Sequence, residues 1–124
     1  MTNQDSAKSS GFKYLRHLNG VFMSATAFDG TRVVLRPERW RHIVLRHPEL
    51  KTAAELILDA VAHPDEVYVD PTGAFHALKL CHEVSDFLVV IYSVEHEGYI
   101  RTAYYTSKLR KTRRYKTFRK LKPS

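Results

Sequence analysis

Two predicted strands carry basic and aromatic side chains of the kinds that bind a phosphorylated ligand. Lys79 lies on one of these strands, and Arg101, Tyr104 and Tyr105 lie on the last strand. A lysine or arginine neutralises a phosphate, and a tyrosine ring stacks on a base. Each of these side chains, taken alone, is more typical of an ordinary solvent-facing or packing position. The sequence therefore indicates a candidate ligand surface without requiring one.

The seven histidines offer groups for proton transfer near neutral pH. His42 is predicted to project from the polar side of a helix, where it could serve as an acid or a base. His47 directly precedes Pro48, and its cation could instead cap the carbonyls at the end of that helix. His63 precedes Pro64 in the same way, which favours the simpler capping role.

The spacing of the histidines and of Cys81 does not suit a metal ion. The sequence has no CxxC or HExxH motif, and His42 and His47 are five residues apart, on different sides of a helix. His76 and His82 share a strand face but are too far apart to bind one ion. We expect no metal and no cofactor.

The last 18 residues hold the whole positive excess of the chain. The chain has 20 basic and 13 acidic residues, a net charge of +7, and nine of the basic residues lie in 107–124, which has no acid. Removing those nine leaves 11 basic against 13 acidic residues, a net charge of −2. Such a segment is typical of a surface that binds a polyanion, because each cation near a phosphate releases a condensed counterion. The candidates for RNA binding are Arg46 on the helix and, in this basic tail, Lys108, Arg110, Lys111, Arg113 and Arg114.

Length and composition indicate a single domain. A chain of 124 residues, 44% of them hydrophobic, can bury one ordinary core. No apolar run reaches the roughly 18 residues that cross a membrane. The segment MTNQDSAKSS lacks the basic and then apolar layout of a signal peptide, so we expect a cytoplasmic protein with no membrane partner. The one cysteine, Cys81, is predicted to be a buried packing residue.

The first half of the chain is predicted to form a hairpin and a helix. Residues 1–19 are polar and read as a loose arm. Two β-favouring stretches, 20–28 and 31–36, flank Asp29-Gly30, a strong hairpin signal. Pro37 suits the first position of a helix, which should end at His47 because a proline follows.

The second half is predicted to form one more helix and a sheet. Thr52 and Glu55 form a predicted capping box for a helix that ends at His63. The predicted strands are 66–69, 74–82, 87–94 and 99–106. This order indicates an α+β fold with two helices on one face of a four-stranded antiparallel sheet, plus the N-terminal hairpin and the basic C-terminal tail. The other sheet face would stay open to a ligand.

Five segments between residues 36 and 115 carry a family resemblance. They are RHIVLRHPEL, HPDEVYVD, FHALKL, FLVVIYSV and YIRTAYYTSKLRKTRRY. Together they resemble the small metal-independent RNases of the barnase–EndoU–colicin–RelE superfamily, especially its phage-associated and toxin branches. The most recognisable parts are HPE at His47–Glu49 and RTAYYTS at Arg101–Ser107.

The resemblance implies an active site on the open face of the sheet. It implies a histidine or other polar group near the helices, cations on the strands and a Ser or Thr on the last strand. The matching residues are His47, Lys79, Arg101 and Thr102, with Tyr104 or Tyr105 beside them and His42 as the alternative acid or base. On a regular strand Arg101 and Thr102 point to opposite faces, so only a β-bulge brings both into one cleft.

The resemblance predicts a toxin-type endoribonuclease that needs no metal and leaves a 2′,3′-cyclic phosphate. Its expected partners are RNA, either free or on the ribosome, and an acidic antitoxin or immunity protein. Two other functions fit the same residues. One is a non-catalytic module that binds RNA or the ribosome, and the other is an interaction protein whose basic tail docks on an acidic partner.

Overall fold

The computed structural model describes residues 12–17 and 20–123, with side chains from Met23 onward. These residues form eight strands, three α-helices and one 3₁₀ turn, Pro48–Leu50. The strands are Phe12–His17 (β1), Gly20–Thr26 (β2), Arg32–Leu35 (β3), Glu66–Val69 (β4), Phe75–Leu80 (β5), Phe87–Val94 (β6), Gly98–Thr106 (β7) and Arg119–Lys122 (β8). The helices are Pro37–Arg46 (α1), Ala54–Ala62 (α2) and Lys108–Tyr115 (α3).

All eight strands belong to one mixed sheet in the order β1-β2-β3-β7-β6-β5-β4-β8. Strands β3 and β7 pair in parallel, and the other neighbours are antiparallel. The fold is α+β, but the prediction of a four-stranded antiparallel sheet with two helices is wrong. The predicted meander is only the middle of the sheet. The N-terminal hairpin extends it beyond β7 and the C-terminal segment extends it beyond β4, which satisfies backbone groups that a four-stranded sheet would leave unpaired.

The hairpin predicted at Asp29-Gly30 is confirmed. Gly30 has a φ of +90°, a conformation that favours glycine, and Thr31 N donates to Asp29 Oδ1 at 3.1 Å. The loose arm predicted over 1–19 is partly a strand, because residues 12–17 form β1 and pair with β2. The rest of that arm, residues 1–11 and 18–19, lies outside the described residues.

The predicted ends of both helices are confirmed, and the predicted start of the second is not. Helix α1 begins at Pro37 and has His47 as its C-terminal cap, and α2 is capped by His63. Each of these histidines precedes a proline, which disfavours helical geometry there. The capping box at Thr52 is wrong, since the N-cap of α2 is Ala53, whose side chain makes no capping hydrogen bond.

The two faces of the sheet hold separate cores. Helices α1 and α2 cover one face, where Ile43 and Ile57 pack with sheet residues such as Val90 and Ala103, all fully buried. Around Tyr115 on the other face, a smaller cluster includes Tyr68, Leu78, Phe87 and Val89. The prediction of one open sheet face is therefore wrong for the part that α3 covers.

The predicted basic tail is part of the fold. Ser107 caps α3 by accepting a hydrogen bond from Arg110 N at 3.2 Å, and Lys111 pairs with Glu66 at 2.7 Å. Strand β8 then pairs with β4 at the sheet edge. A run of like charges favours a solvated segment locally, but one buried tyrosine and one ion pair anchor this run to the sheet.

No helix in the described part of the chain is long and apolar enough to cross a membrane. Cys81 is buried, 7% exposed, and makes no disulfide.

Candidate functional site

Strand β7 contains a β-bulge at Arg101. In the ladder with β6, Thr102 pairs with Ile91 and Ile100 pairs with Tyr92, so Arg101 is an extra residue opposite the partner strand. A bulge leaves one residue unpaired and changes the face to which the following side chains point.

The bulge changes which side chains share a face of the sheet. Ile100 and Ala103 are both buried in the core beneath α1 and α2, although they are three residues apart. Arg101 and Thr102, which lie between them, both line one cleft. On a regular strand Arg101 and Thr102 would point to opposite faces of the sheet, and the bulge allows both to face the cleft.

The cleft has a volume of about 610 Å³ and a strongly basic lining. Four arginines and three histidines line it, and Asp70 is the only acid among the described residues that do so. The full lining is Arg39, His42, Arg46, His47, Asp70, Thr72, His76, Ile91, Arg101, Thr102, Tyr104 and Arg114. Such a lining suits an anion.

Helix α1 supplies one wall of the cleft through its polar side. Arg39, His42 and Arg46 are at positions i, i+3 and i+7 and so lie on one stripe of the helix, and all three are exposed. The adjacent side of the helix packs Ile43 into the core. Amphipathicity thus positions one imidazole and two guanidinium groups together.

His47 stands where α1 ends, beside the ring of Tyr104. The two ring centroids are 6.2 Å apart. The His47 side chain is 31% exposed, and its Nδ1 lies 3.7 Å from Glu49 Oε2. The imidazole is therefore accessible to a ligand in the cleft and has a carboxylate near its other side.

Asp70 is held at the cleft by several hydrogen bonds. Its Oδ1 accepts from the backbone N and the hydroxyl of Thr72 at 2.9 and 2.6 Å and from Ala74 N at 3.1 Å, and Oδ2 is 2.8 Å from His76 Nε2. Burial alone would raise the pKa of Asp70, but these hydrogen bonds outweigh it and hold the pKa well below its usual range. Asp70 is therefore ionised at neutral pH.

His76 is fully buried and has a partner on each ring nitrogen. Because the Asp70 carboxylate can only accept, Nε2 carries the proton, and Nδ1 accepts from the Tyr115 hydroxyl at 2.7 Å. Burial, only partly offset by Asp70, holds the pKa of His76 below its ordinary value, and Arg114 and Arg101 act in the same direction. His76 is thus a neutral positioning group without a free nitrogen.

Tyr115 connects this buried pair to the cleft surface. Burial raises the pKa of Tyr115 above its ordinary value, so the hydroxyl keeps its proton. Tyr104 and Arg114, which both line the cleft, interact with the same hydroxyl. A line of polar contacts therefore runs from Asp70 through His76 and Tyr115 to side chains that face the cleft.

Two of the predicted catalytic residues lie elsewhere. The ammonium of Lys79 donates to the His63 carbonyl at 2.7 Å and lies 3.5 Å from Asp59 Oδ2, on the sheet face that α2 covers. Lys79 lies on that face because it is two residues beyond the core residue Ala77 in β5, and alternate residues of a strand share a face. Tyr105 also packs against the core beneath the helices.

The predicted RNA-binding residues divide into three groups. Arg46 and Arg114 line the cleft, and Lys108, Arg110 and Arg113 are exposed on α3 outside it. The third group is Lys111 alone. Its side chain is only 16% exposed, is paired with Glu66 and lies over the rings of Tyr68 and Phe87, so it holds α3 on the sheet.

The sequence prediction missed Asp70, His76 and Tyr115. Two signals were available: an Asp at the start of the Asp-Pro-Thr-Gly turn, which commonly bonds its own turn, and a histidine inside an alternating strand. Neither indicates a partner 39 residues away, as Tyr115 is from His76.

A second depression, of about 410 Å³, has mixed charges. Among its lining residues are Glu38, Glu95 and His96, together with Arg36 and Glu97, which form an ion pair at 2.8 Å. Basic and acidic side chains thus offset each other there. In the described part of the chain, no group of three or more His, Cys, Asp or Glu side chains could hold a metal ion.

Comparison of the chain with family models, with curated proteins and with solved structures found no match.

Proposed function

We propose that this protein is an endoribonuclease that cleaves RNA in the cleft between α1, β7 and α3. One observation carries the proposal: two accessible imidazoles, four guanidinium groups and the Thr102 hydroxyl meet in one basic cleft. They come from three separate parts of the chain. A shared lining of this composition matches what the cleavage of a phosphodiester requires.

Binding of the phosphate falls to the arginines. Arg101 and Thr102 stand side by side at the bulge, so a guanidinium and a hydroxyl can address the same phosphate group. Guanidinium groups bind phosphate through two parallel hydrogen bonds. Arg39 and Arg46 add positive charge from α1, so that four guanidinium groups outnumber the single Asp70 carboxylate among the described lining residues.

Proton transfer falls to His47 and His42. RNA carries its own nucleophile, so one imidazole removes the 2′-hydroxyl proton and the other protonates the leaving 5′-oxygen. The O2′–P bond forms as the P–O5′ bond breaks, and the products are a 2′,3′-cyclic phosphate and a 5′-hydroxyl. Each such transfer contributes about 10²–10⁴-fold in rate. His76 is unsuited to this role because both of its nitrogens are already bonded.

Arg101 stabilises the extra negative charge that develops on the phosphorus oxygens. A fixed donor of this kind contributes about 2.7–4 kcal/mol in sites where it has been removed. Tyr104, whose ring lies beside His47, offers a surface on which a base stacks next to the reacting phosphate.

The test is cleavage of RNA by the purified full chain in EDTA. His47→Ala and Arg101→Ala are each expected to lower the rate at least 100-fold without unfolding the protein. His63→Ala is the matched control, because His63 caps α2 as His47 caps α1 but lies outside the cleft. Full activity of both cleft variants would reject this site.

RNA binding without cleavage would instead assign the cleft to a non-catalytic RNA-binding module. The expectation of a toxin with an acidic antitoxin stays a prediction, tested by whether expression of the chain arrests growth and His47→Ala relieves the arrest.

A further inference from the structure

The outer side of α3 concentrates cations that the cleft does not use. Arg110, Arg113 and Lys116 are exposed, and they lie opposite the side that carries Lys111 and Tyr115 to the sheet. No acid occurs between Ser107 and Ser124. Within the described part of the chain, none of these three cations makes an ion pair.

These cations stand on a helix that is fixed in place. Tyr115 bonds to His76 at 2.7 Å, Lys111 bonds to Glu66 at 2.7 Å, and the backbone N of Lys108 donates to Asp86 Oδ2 at 2.6 Å. Strand β8 holds the following segment against β4. The charges are therefore presented in a set arrangement rather than on a loose end.

Part of this charge opposes the stability of the helix. Arg110 repels Arg113 and Arg114 across one turn, and like-charged pairs at this spacing destabilise a helix. Lys108 and Arg110 also lie in the first turn, where the helix dipole disfavours cations. A bound polyanion would relieve both effects.

The surface is continuous with the cleft. Arg114 lines the cleft and lies one turn beyond Arg110 on the same side of α3. A volume of about 610 Å³ holds a ligand of ordinary small-molecule size, so a longer strand must extend over the neighbouring surface.

We propose that Arg110, Arg113 and Lys116 form a second phosphate-binding surface, which holds an RNA strand where it leaves the cleft. This inference rests on the proposed function and narrows its substrate class to RNA longer than the fragment that fills the cleft. The cleft performs the chemistry, and the outer side of α3 supplies affinity.

The test compares the triple variant Arg110→Gln, Arg113→Gln, Lys116→Gln with a charge-matched control, Arg32→Gln, Arg41→Gln, Lys51→Gln. The control residues are exposed and lie outside the cleft. Binding of a 12-nucleotide RNA is measured against salt by fluorescence anisotropy in the His47→Ala background. For a single strand, loss of three phosphate contacts lowers the slope of log K against log salt by about 2. The α3 variant is expected to show this change and the control is not.

A second measurement uses the chain with His47 intact and compares the kinetics of RNA cleavage. With the α3 substitutions, KM for the 12-nucleotide RNA should rise at least tenfold with little change in kcat. Circular dichroism should show a melting temperature close to that of the wild type, since none of the three cations makes an ion pair within the described residues. An unchanged salt slope and KM would overturn the inference even if the wild type cleaves RNA. If the α3 variant lowers the slope of log K against log salt but the wild type never cleaves RNA, the RNA-binding surface on α3 stands and the proposed nuclease activity is rejected. Binding of oligoglutamate at α3 with an unaltered RNA slope would assign the surface to an acidic protein and overturn the inference.

Discussion

The hydroxyl of Tyr115 lies 2.7 Å from Nδ1 of His76, which joins the most basic helix of the chain to an inner strand of its sheet. The same imidazole bonds through Nε2 to Asp70 at the cleft. Through this bond a segment with no acidic residue becomes part of the core and brings Arg114 to the cleft. The position of one guanidinium therefore depends on a buried neutral histidine.

Removing the Tyr115 hydroxyl tests this connection. Tyr115→Phe leaves the ring packing in place but deprives the buried Nδ1 of His76 of its donor. An unsatisfied buried polar group costs about 1–3 kcal/mol, so the free energy of unfolding in urea should fall by that amount. Tyr99→Phe, which removes a hydroxyl that has no hydrogen-bond partner among the described residues, should change it by less than about 0.5 kcal/mol. Equal losses in the two variants would contradict the account.

Stability should fall as the pH is lowered, in two stages. The lowered pKa of His76 means that the unfolded chain takes up a proton below about pH 6.5 before the folded chain does, so stability drops first there. The lowered pKa of Asp70 stabilises the fold above about pH 3.9 and is lost as the pH falls further.

His76→Gln isolates the first stage. Glutamine retains polar atoms at this position but does not titrate, so the difference in unfolding free energy between pH 7.5 and pH 5.5 should shrink relative to the wild type. An identical pH dependence in wild type and His76→Gln would show that His76 titrates alike in both states.

Gly98 is predicted to be required where β3 meets β7. A Cβ at this residue would lie 2.8 Å from Val33 Cγ2 and 2.9 Å from Arg32 O, closer than atoms pack. Gly98→Ala should therefore lower the free energy of unfolding by about 1–3 kcal/mol. Glu95→Ala, in the exposed turn before β7, should be nearly neutral. A fully stable Gly98→Ala protein would show that the parallel pair is not so close.

Lys79 belongs to the active site predicted from the sequence, but it does not line the cleft in the structure. Its ammonium bonds to the His63 carbonyl and lies near Asp59, away from the cleft. Lys79→Met should thus keep the rate of RNA cleavage within twofold and lower stability by about 1 kcal/mol or less. A loss of activity comparable to that of Arg101→Ala would show that Lys79 takes part in RNA cleavage.

Features set by neighbouring residues could be predicted from the sequence. A proline next to His47 and next to His63 marks both helix ends, and Asp29-Gly30 marks a hairpin. The polar stripe of α1 likewise follows from helical spacing, and it brings His42 to the cleft wall.

Features set by distant partners could not be predicted. Strand β8 pairs with β4, where Arg119 lies beside Val69, 50 positions away in the sequence, and nothing near either residue indicates it. The bulge at Arg101 arises from a register shift against β6, which a local alternation pattern does not record. For the same reason His76 reads as an ordinary strand residue until Asp70 and Tyr115 are placed beside it.

The most direct measurement is mass spectrometry of the ends left on RNA after incubation with the full chain in EDTA. Two oligonucleotides of the same sequence are compared, one all-ribose and one with 2′-deoxyribose throughout. Cleavage through the 2′-hydroxyl should leave 2′,3′-cyclic phosphate and 5′-hydroxyl ends on the first and none on the second. With His47→Ala, neither oligonucleotide should yield such ends. An intact all-ribose oligonucleotide, or equal cleavage of both, would contradict this mechanism.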